Sequence, residues 1–98
     1  MVRNQKLTKV IKGRTVQSAT VESERLVVVF DDHSTMTVKT APGLAAAIST
    51  GVRIRAVLED ADECTLQFED GCAVTVKLAD PGASVAVRAR NSAVEYLG

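Results

Sequence analysis

The sequence predicts an all-β, mainly antiparallel fold: a small barrel or sandwich built from a duplicated three-strand meander, with one short helix between the copies and a C-terminal hairpin. Three observations carry this. Residues 13–41 recur as residues 51–79 at a constant shift of 38. Each copy holds an acidic tip, Asp31-Asp32 or Glu69-Asp70, between two stretches of alternating β-branched residues. Short strand-like stretches separated by turn residues also continue to the end of the chain, a spacing that favours a barrel or sandwich over an α/β fold.

Seven pairs are identical across the shift: Gly13/Gly51, Phe30/Phe68, Asp32/Asp70, Thr37/Thr75, Val38/Val76, Lys39/Lys77 and Ala41/Ala79. Agreement at turns and strands alike marks two copies of one supersecondary unit. The side chains then set the hairpin register, because a slip of one residue turns every side chain to the other face. A three-residue loop, a type I turn closed by a left-handed residue, pairs Phe68 with Cys72, Leu66 with Val74 and Cys64 with Val76. In the first copy it pairs Phe30 with Ser34, Val28 with Met36 and Leu26 with Val38. All these apolar groups then share one face, and His33 stands where the second copy has Gly71.

In chain order, residues 1–12 are polar and basic, with Leu7, Val10 and Ile11 interspersed, and read as a short first strand or a frayed arm. Residues 14–21 alternate weakly, with Val16, Ser18 and Thr20 on one face, as an edge strand does. Stronger strands follow at 25–30 and 35–40. The run Ala41-Pro42-Gly43-Leu44-Ala45-Ala46-Ala47-Ile48 then changes character, and it reads as a short helix opening after proline and stopped by Gly51. Residues 52–58, 64–68 and 73–78 repeat the three strands around the acidic loop 59–63. Ala79-Asp80-Pro81-Gly82 reads as a turn, and residues 84–88 and 93–97 form a hairpin around Arg90-Asn91-Ser92.

Ninety-eight residues make one domain, 1–98, and only Phe30, Phe68 and Tyr96 are aromatic. The core therefore rests on Val, Leu, Ile and Ala, a thin core that association would help. No apolar run reaches membrane-spanning length, and two cysteines without a secretory signal place the chain in the reducing cytoplasm. In the register above both Cys64 and Cys72 face the core as free thiols. Twelve basic and twelve acidic residues cancel. The acids gather in loops, whereas the later bases lie within strands.

Little here can run a reaction. His33 beside Asp31 and Asp32 offers a general base, yet its repeat partner is glycine, so it reads as a left-handed turn residue. The acidic pairs read as solvated turn formers, no cofactor motif is present, and two cysteines with one histidine make no metal site. The face opposite the core is more informative. There Thr37, Thr75, Lys39, Lys77, Arg53 and Arg55 form a candidate cationic patch, since hydroxyls and guanidinium forks hold phosphate and carboxylate. On the same face Val27 and Val29 replace Thr65 and Gln67, an apolar pair that calls for a cover, either the helix at 44–48 or another subunit.

The expected function is thus a non-enzymatic, homo-oligomeric binding or sequestering module. It takes an anionic small molecule such as a nucleotide, or an acidic protein surface, on that cationic face. The alternative is a protein-interaction or inhibitor module acting through an apolar surface at Val27 and Val29. Nucleic-acid binding through the basic residues 3–14 is less favoured, because the interleaved aromatics of a stacking platform are missing.

Overall fold

The computed structural model describes residues 2–22, 24–41, 48–80 and 84–98. Among them are nine strands and one helix: β1 (Val2–Arg3), α1 (Gln5–Ile11), β2 (Val16–Glu22), β3 (Arg25–Phe30), β4 (Thr35–Lys39), β5 (Ile54–Glu59), β6 (Glu63–Phe68), β7 (Ala73–Lys77), β8 (Val85–Arg88) and β9 (Val94–Leu97). They form two antiparallel sheets, ordered β1-β5-β6-β7 and β2-β3-β4-β8-β9. The two copies of the repeat are the meanders β2-β3-β4 and β5-β6-β7, one in each sheet. The helix expected at 44–48 falls almost wholly on residues 42–47 and lies outside the described residues, as do residues 81–83 of the turn before β8.

The register within each meander is the one that the side chains require. Leu26 pairs with Val38 and Val28 with Met36, while Cys64 pairs with Val76 and Leu66 with Val74. In each loop the aromatic residue's N–H donates across it, Phe30 to the Ser34 carbonyl at 2.9 Å and Phe68 to the Cys72 carbonyl at 2.9 Å. His33 and Gly71 hold the left-handed position at φ 69° and 90°. Arg90-Asn91-Ser92 builds the same loop a third time, with Ser92 at φ 70° and the Ala89 N–H donating to the Ala93 carbonyl at 2.8 Å. All three share a device that a turn of this length needs: the side-chain oxygen of Asp32, Asp70 or Asn91 accepts the N–H two residues on, of Ser34, Cys72 or Ala93.

The meanders meet at two seams, and both seams pair residues that the repeat makes equivalent. Thr15 bridges Arg53 and Thr40 bridges Leu78, each pair 38 apart in sequence. The surrounding bonds obey the same twofold. The Gly13 N–H donates to the Ile54 carbonyl and the Gly51 N–H to that of Val16, both at 2.8 Å. At the other seam the Ala41 N–H donates to the Lys77 carbonyl at 2.9 Å and the Ala79 N–H to that of Lys39 at 3.1 Å. Between the seams lies one core, which draws Leu26, Val28, Phe30, Met36 and Val38 from the first copy and Ile54, Val57, Leu66, Phe68 and Val76 from the second.

Two local features depart from the sequence reading. Each copy carries a β-bulge in its first strand, between Val16 and Ser18 and between Ile54 and Ala56. The extra residue reverses the alternation, so Ala19 and Val21, not Ser18 and Thr20, continue the face begun by Val16. Residues 5–11, expected as strand or arm, form a helix, although β1 supplies the short first strand. The signal was present in Leu7 and Ile11, four apart and both fully buried, after Asn4, whose side chain caps the helix by accepting the Leu7 N–H at 2.9 Å.

This N-terminal unit closes the outer edge of β5. Val2 pairs with Glu59 and Arg3 with Leu58. Further along, the Asn4 N–H donates to the Val57 carbonyl at 2.9 Å, and the Val57 N–H donates to the Thr8 hydroxyl at 2.9 Å. The Thr8 hydroxyl thus stands in for the next residue of a strand. Thr8→Val should leave that buried N–H unpaired and cost about 1–3 kcal/mol in urea unfolding, while Thr8→Ser keeps most of the stability. In the loops, a Cβ at Gly71 would meet nothing within 4 Å, so Gly71→Ala should lose only the backbone strain, about 1 kcal/mol net. His33→Gly in the equivalent position should be level or slightly stabilising in the same assay.

Candidate interaction surface

The outer face of the five-stranded sheet can be read across the register. One row runs Thr20, Val27, Thr37, Ala86, Leu97, and the next runs Ser18, Val29, Thr35, Arg88, Val94. The row between them, Val28-Met36-Val87-Tyr96, and the row beyond the first, Leu26-Val38-Val85, face the core. Nine of the ten outer residues are uncharged and mostly small, and the apolar ones continue outward from half-buried Val27 and Val29 to Val94, 48% exposed, and Leu97, 66% exposed. A third row, Glu22, Arg25, Lys39, adds charge at one margin. Among the described residues no element lies over this face, since α1 packs against β5 and β9.

The β8-β9 hairpin supplies Ala86, Arg88, Val94 and Leu97, and polar clamps hold it in place. Arg14 grips Glu95 with both amino groups, at 3.1 and 2.7 Å, donates to the Ser34 hydroxyl at 2.8 Å, and lies over the Phe30 ring at 5.9 Å. The hydrogen bond to Glu95 raises the already high Arg14 pKa. The Ser34 hydroxyl bonds the Asp32 carboxylate, and this contact, more than the 3.8 Å approach of Arg14, lowers the Asp32 pKa. At the other end the Asn4 amide donates to the Tyr96 hydroxyl at 2.9 Å. Sequence reasoning counted Arg14 only among the basic N-terminal residues. The available signal was its repeat partner, Val52, an apolar residue where the first copy has a guanidinium.

The six residues expected to form one cationic patch fall in several places. Thr37 and Lys39 belong to the outer face just described and line a cleft of about 480 Å³ with Ser84, Val85, Ala86, Arg88, Leu97 and Gly98. Thr75 and Lys77 belong to the other sheet, where the Thr75 hydroxyl bonds that of Thr65 at 2.7 Å and Lys77 lies opposite Glu63. Lys39 and Lys77 approach each other along the backbone, because they flank the Thr40–Leu78 seam. Arg53 sits at the opposite seam, against Thr15. Arg55 falls at the bulge, so a spacing of two no longer fixes that it shares a face with Arg53; it borders a hollow with Lys12, Gly13 and Glu69. Lys39 also edges a second cleft that holds Glu22, Glu24 and Asp80 beside Arg25, a mixed rather than cationic surface.

Among the described residues no three His, Cys, Asp or Glu side chains come together as metal ligands. No helix among them is long and apolar enough to cross a membrane. Comparison with known proteins found no matching family model, no matching curated protein and no matching solved structure.

The cysteines correct the sequence reading in one respect. Cys64 is buried among apolar groups, and burial pushes its thiol up to about 12. Cys72, expected to face the core beside Phe68, is exposed. Its register is as expected, but its environment differs from that of buried Ser34, its repeat partner, because Arg14 covers the first loop and Val52 in the second copy cannot. A thiol reagent at pH 8 should therefore label one cysteine in the native protein and the other only on unfolding, since a thiol with pKa near 12 is thiolate in about one molecule in ten thousand at that pH. Cys72→Ser should remove the fast phase.

Proposed function

We propose that this chain is a non-enzymatic interaction module that holds a partner protein against the outer face of its five-stranded sheet. The observation that carries this reading is the uncharged row Thr20-Val27-Thr37-Ala86-Leu97, which crosses all five strands with no described element over it. An antiparallel sheet that faces water on one side is ordinarily polar there, whereas this row sets Val27, Ala86 and Leu97 among two threonines without a charge, and exposed apolar groups so placed mark an interaction surface. Arg88, Lys39 and Arg25 stand at its margin, so the fitting partner surface is an apolar patch edged by carboxylates. Apolar contact in the centre then supplies the affinity, and the charges set orientation and approach.

A second reading rests on the cleft of Thr37, Lys39 and Arg88. Lys39 and Arg88 stand at its two ends with the Thr37 side chain between them, beside Val85 and Leu97, groups suited to an elongated anionic small molecule with an apolar part, such as a nucleotide.

One set of variants separates the readings. For a partner captured from the native host, Val27→Lys with Leu97→Lys should reduce retention at least about tenfold without changing the melting temperature much, because both side chains lie off the core. Lys39→Ala with Arg88→Ala should weaken capture less and make it less sensitive to salt. Capture untouched by the Val27 and Leu97 changes would overturn the partner-protein reading. If nucleotides instead raise the melting temperature of the wild type, and Lys39→Ala with Arg88→Ala abolishes the rise, the cleft is the site.

A further inference from the structure

Five bases precede the first acid, Glu22, and the fold sorts them into two groups. Arg14 is taken up by Glu95. Arg3, Lys6, Lys9 and Lys12 stay exposed. Because α1 buries Leu7, Thr8 and Ile11, its other side faces outward, and there Arg3, Gln5, Thr8, Lys9 and Lys12 line an open cleft of about 390 Å³. Lys6, three residues before Lys9, flanks this cleft. Lys12 also lines the next hollow, with Gly13, Arg55 and Glu69. The two hollows are therefore contiguous, and Arg3, Lys6, Lys9, Lys12 and Arg55 form one strip of positive charge.

No acid pairs with the strip. Among the described residues the ion pairs are those of Arg14, and all twelve acids of the chain are among the described residues. Glu59, opposite Val2, and Glu69 stand at the two ends. This placement works against the helix that carries it. The first turn of α1 holds no acid, although the dipole favours negative charge there, and Lys6, Lys9 and Lys12 set like charges three residues apart. A merely solvated helix face carries mixed signs. A repulsion that brings the fold no gain is the pattern expected where the charge serves a ligand.

We propose that this strip binds the phosphate backbone of duplex DNA, without reading its bases. The helix rises about 4.5 Å every three residues, so its lysines present charge on the scale of the phosphates along one strand, one per ~3.4 Å of duplex axis. Single strands are bound by stacking bases on aromatic side chains. Here Phe30 and Phe68 are buried and the Tyr96 hydroxyl is held by Asn4. Duplex RNA is recognised through its 2′-hydroxyls, yet the Thr8 hydroxyl is already bonded to both backbone groups of Val57. A peripheral membrane helix inserts its apolar face, whereas Leu7 and Ile11 are spent in the core and Val2 is the exposed large apolar residue of this unit. Lysine is depleted at the centre of protein interfaces. The strip takes no residue from the outer face of the five-stranded sheet, so the two surfaces are tested independently.

Fluorescence anisotropy of a labelled DNA duplex, titrated with the full chain at several salt concentrations, is the test. With the strip's cations on phosphates, log Kd should rise with log salt at a slope of about 4. Lys9→Ala and Lys12→Ala should each lower that slope by about 1 and weaken binding about tenfold at ~50 mM salt. Glu69→Gln, at the end of the strip, should tighten binding. Lys6→Glu should weaken binding while leaving or raising the melting temperature, because an acid in the first turn suits the helix dipole; a structural role for this lysine moves both the same way. Lys77→Ala removes the same charge from the far strand of the same sheet and should change affinity by less than about twofold. The proposal is overturned if the duplex is not bound at ~50 mM salt, or if Lys77→Ala costs as much as Lys9→Ala. Tighter binding of a single-stranded oligonucleotide or an RNA duplex than of the DNA duplex overturns it as well. So does retention of the chain on phosphatidylserine vesicles in the presence of excess duplex, which assigns the strip to a lipid surface.

Discussion

Two meanders, neither able to bury its apolar face alone, close on one another through hydrogen bonds between equivalent residues, and the rest of the molecule depends on that closure. At the Thr15–Arg53 seam the four bonds among residues 13–16 and 51–54 fall in two symmetric pairs, and the Thr40–Leu78 seam adds one more such pair. A core with only three aromatic residues in the chain gains more from such closure than from any single large side chain. Val, Leu and Ile contribute modest areas each, so the sheets must meet on both sides to bury enough of them. The bulges serve the same end. They bend β2 and β5 at the seam, where each strand leaves its neighbour's edge and turns along its own sheet.

What makes the molecule more than a symmetric duplicate is what the chain adds outside the repeat. The N-terminal strand and helix cover the edge of β5, and the C-terminal hairpin extends the first sheet beyond β4. Each addition is anchored by polar groups that its opposite member lacks: Thr8 and Asn4 on one side, Arg14 with Glu95 on the other. The consequence is an asymmetric surface on a symmetric frame. The first sheet gains a wide uncharged outer face, and the outer edge of β5 in the second sheet is closed by its own chain.

The same asymmetry explains why equivalent residues lead different lives. Ser34 and Cys72 close identical loops, yet the first is buried under Arg14 and the second faces water. Lys39 and Lys77 are the same residue at the same point of the repeat, but Lys39 shares a cleft with Arg88 while Lys77 lies across from Glu63. A hydroxyl or a charge takes its chemical character from its neighbours, and those neighbours differ where the copies have diverged, at Arg14 against Val52 and Arg25 against Glu63, or where an unrepeated segment brings Arg88 alongside.

Much of the fold was legible in the residues. The duplication, both hairpin registers, the left-handed positions at His33 and Gly71, and the final hairpin all follow from local rules: side-chain alternation, loop length and turn chemistry act between residues close in sequence, so the sequence by itself determined them. The candidate surface was legible only at Val27 and Val29, the one place where an outer strand breaks its polar pattern. Tertiary structure decided the remainder. That Val94, Leu97 and Ala86 continue the same row depends on β8 choosing the edge of β4, a pairing between segments about fifty residues apart that no local preference specifies. The separation of Arg53 and Arg55 from Lys39 depends on which strands meet at the seams, and on a bulge that shifts phase without any marker in composition. The role of Arg14 depends on Glu95, eighty-one residues away. Periodicity tells a strand which face is inward; only the closed chain tells it which strand lies alongside.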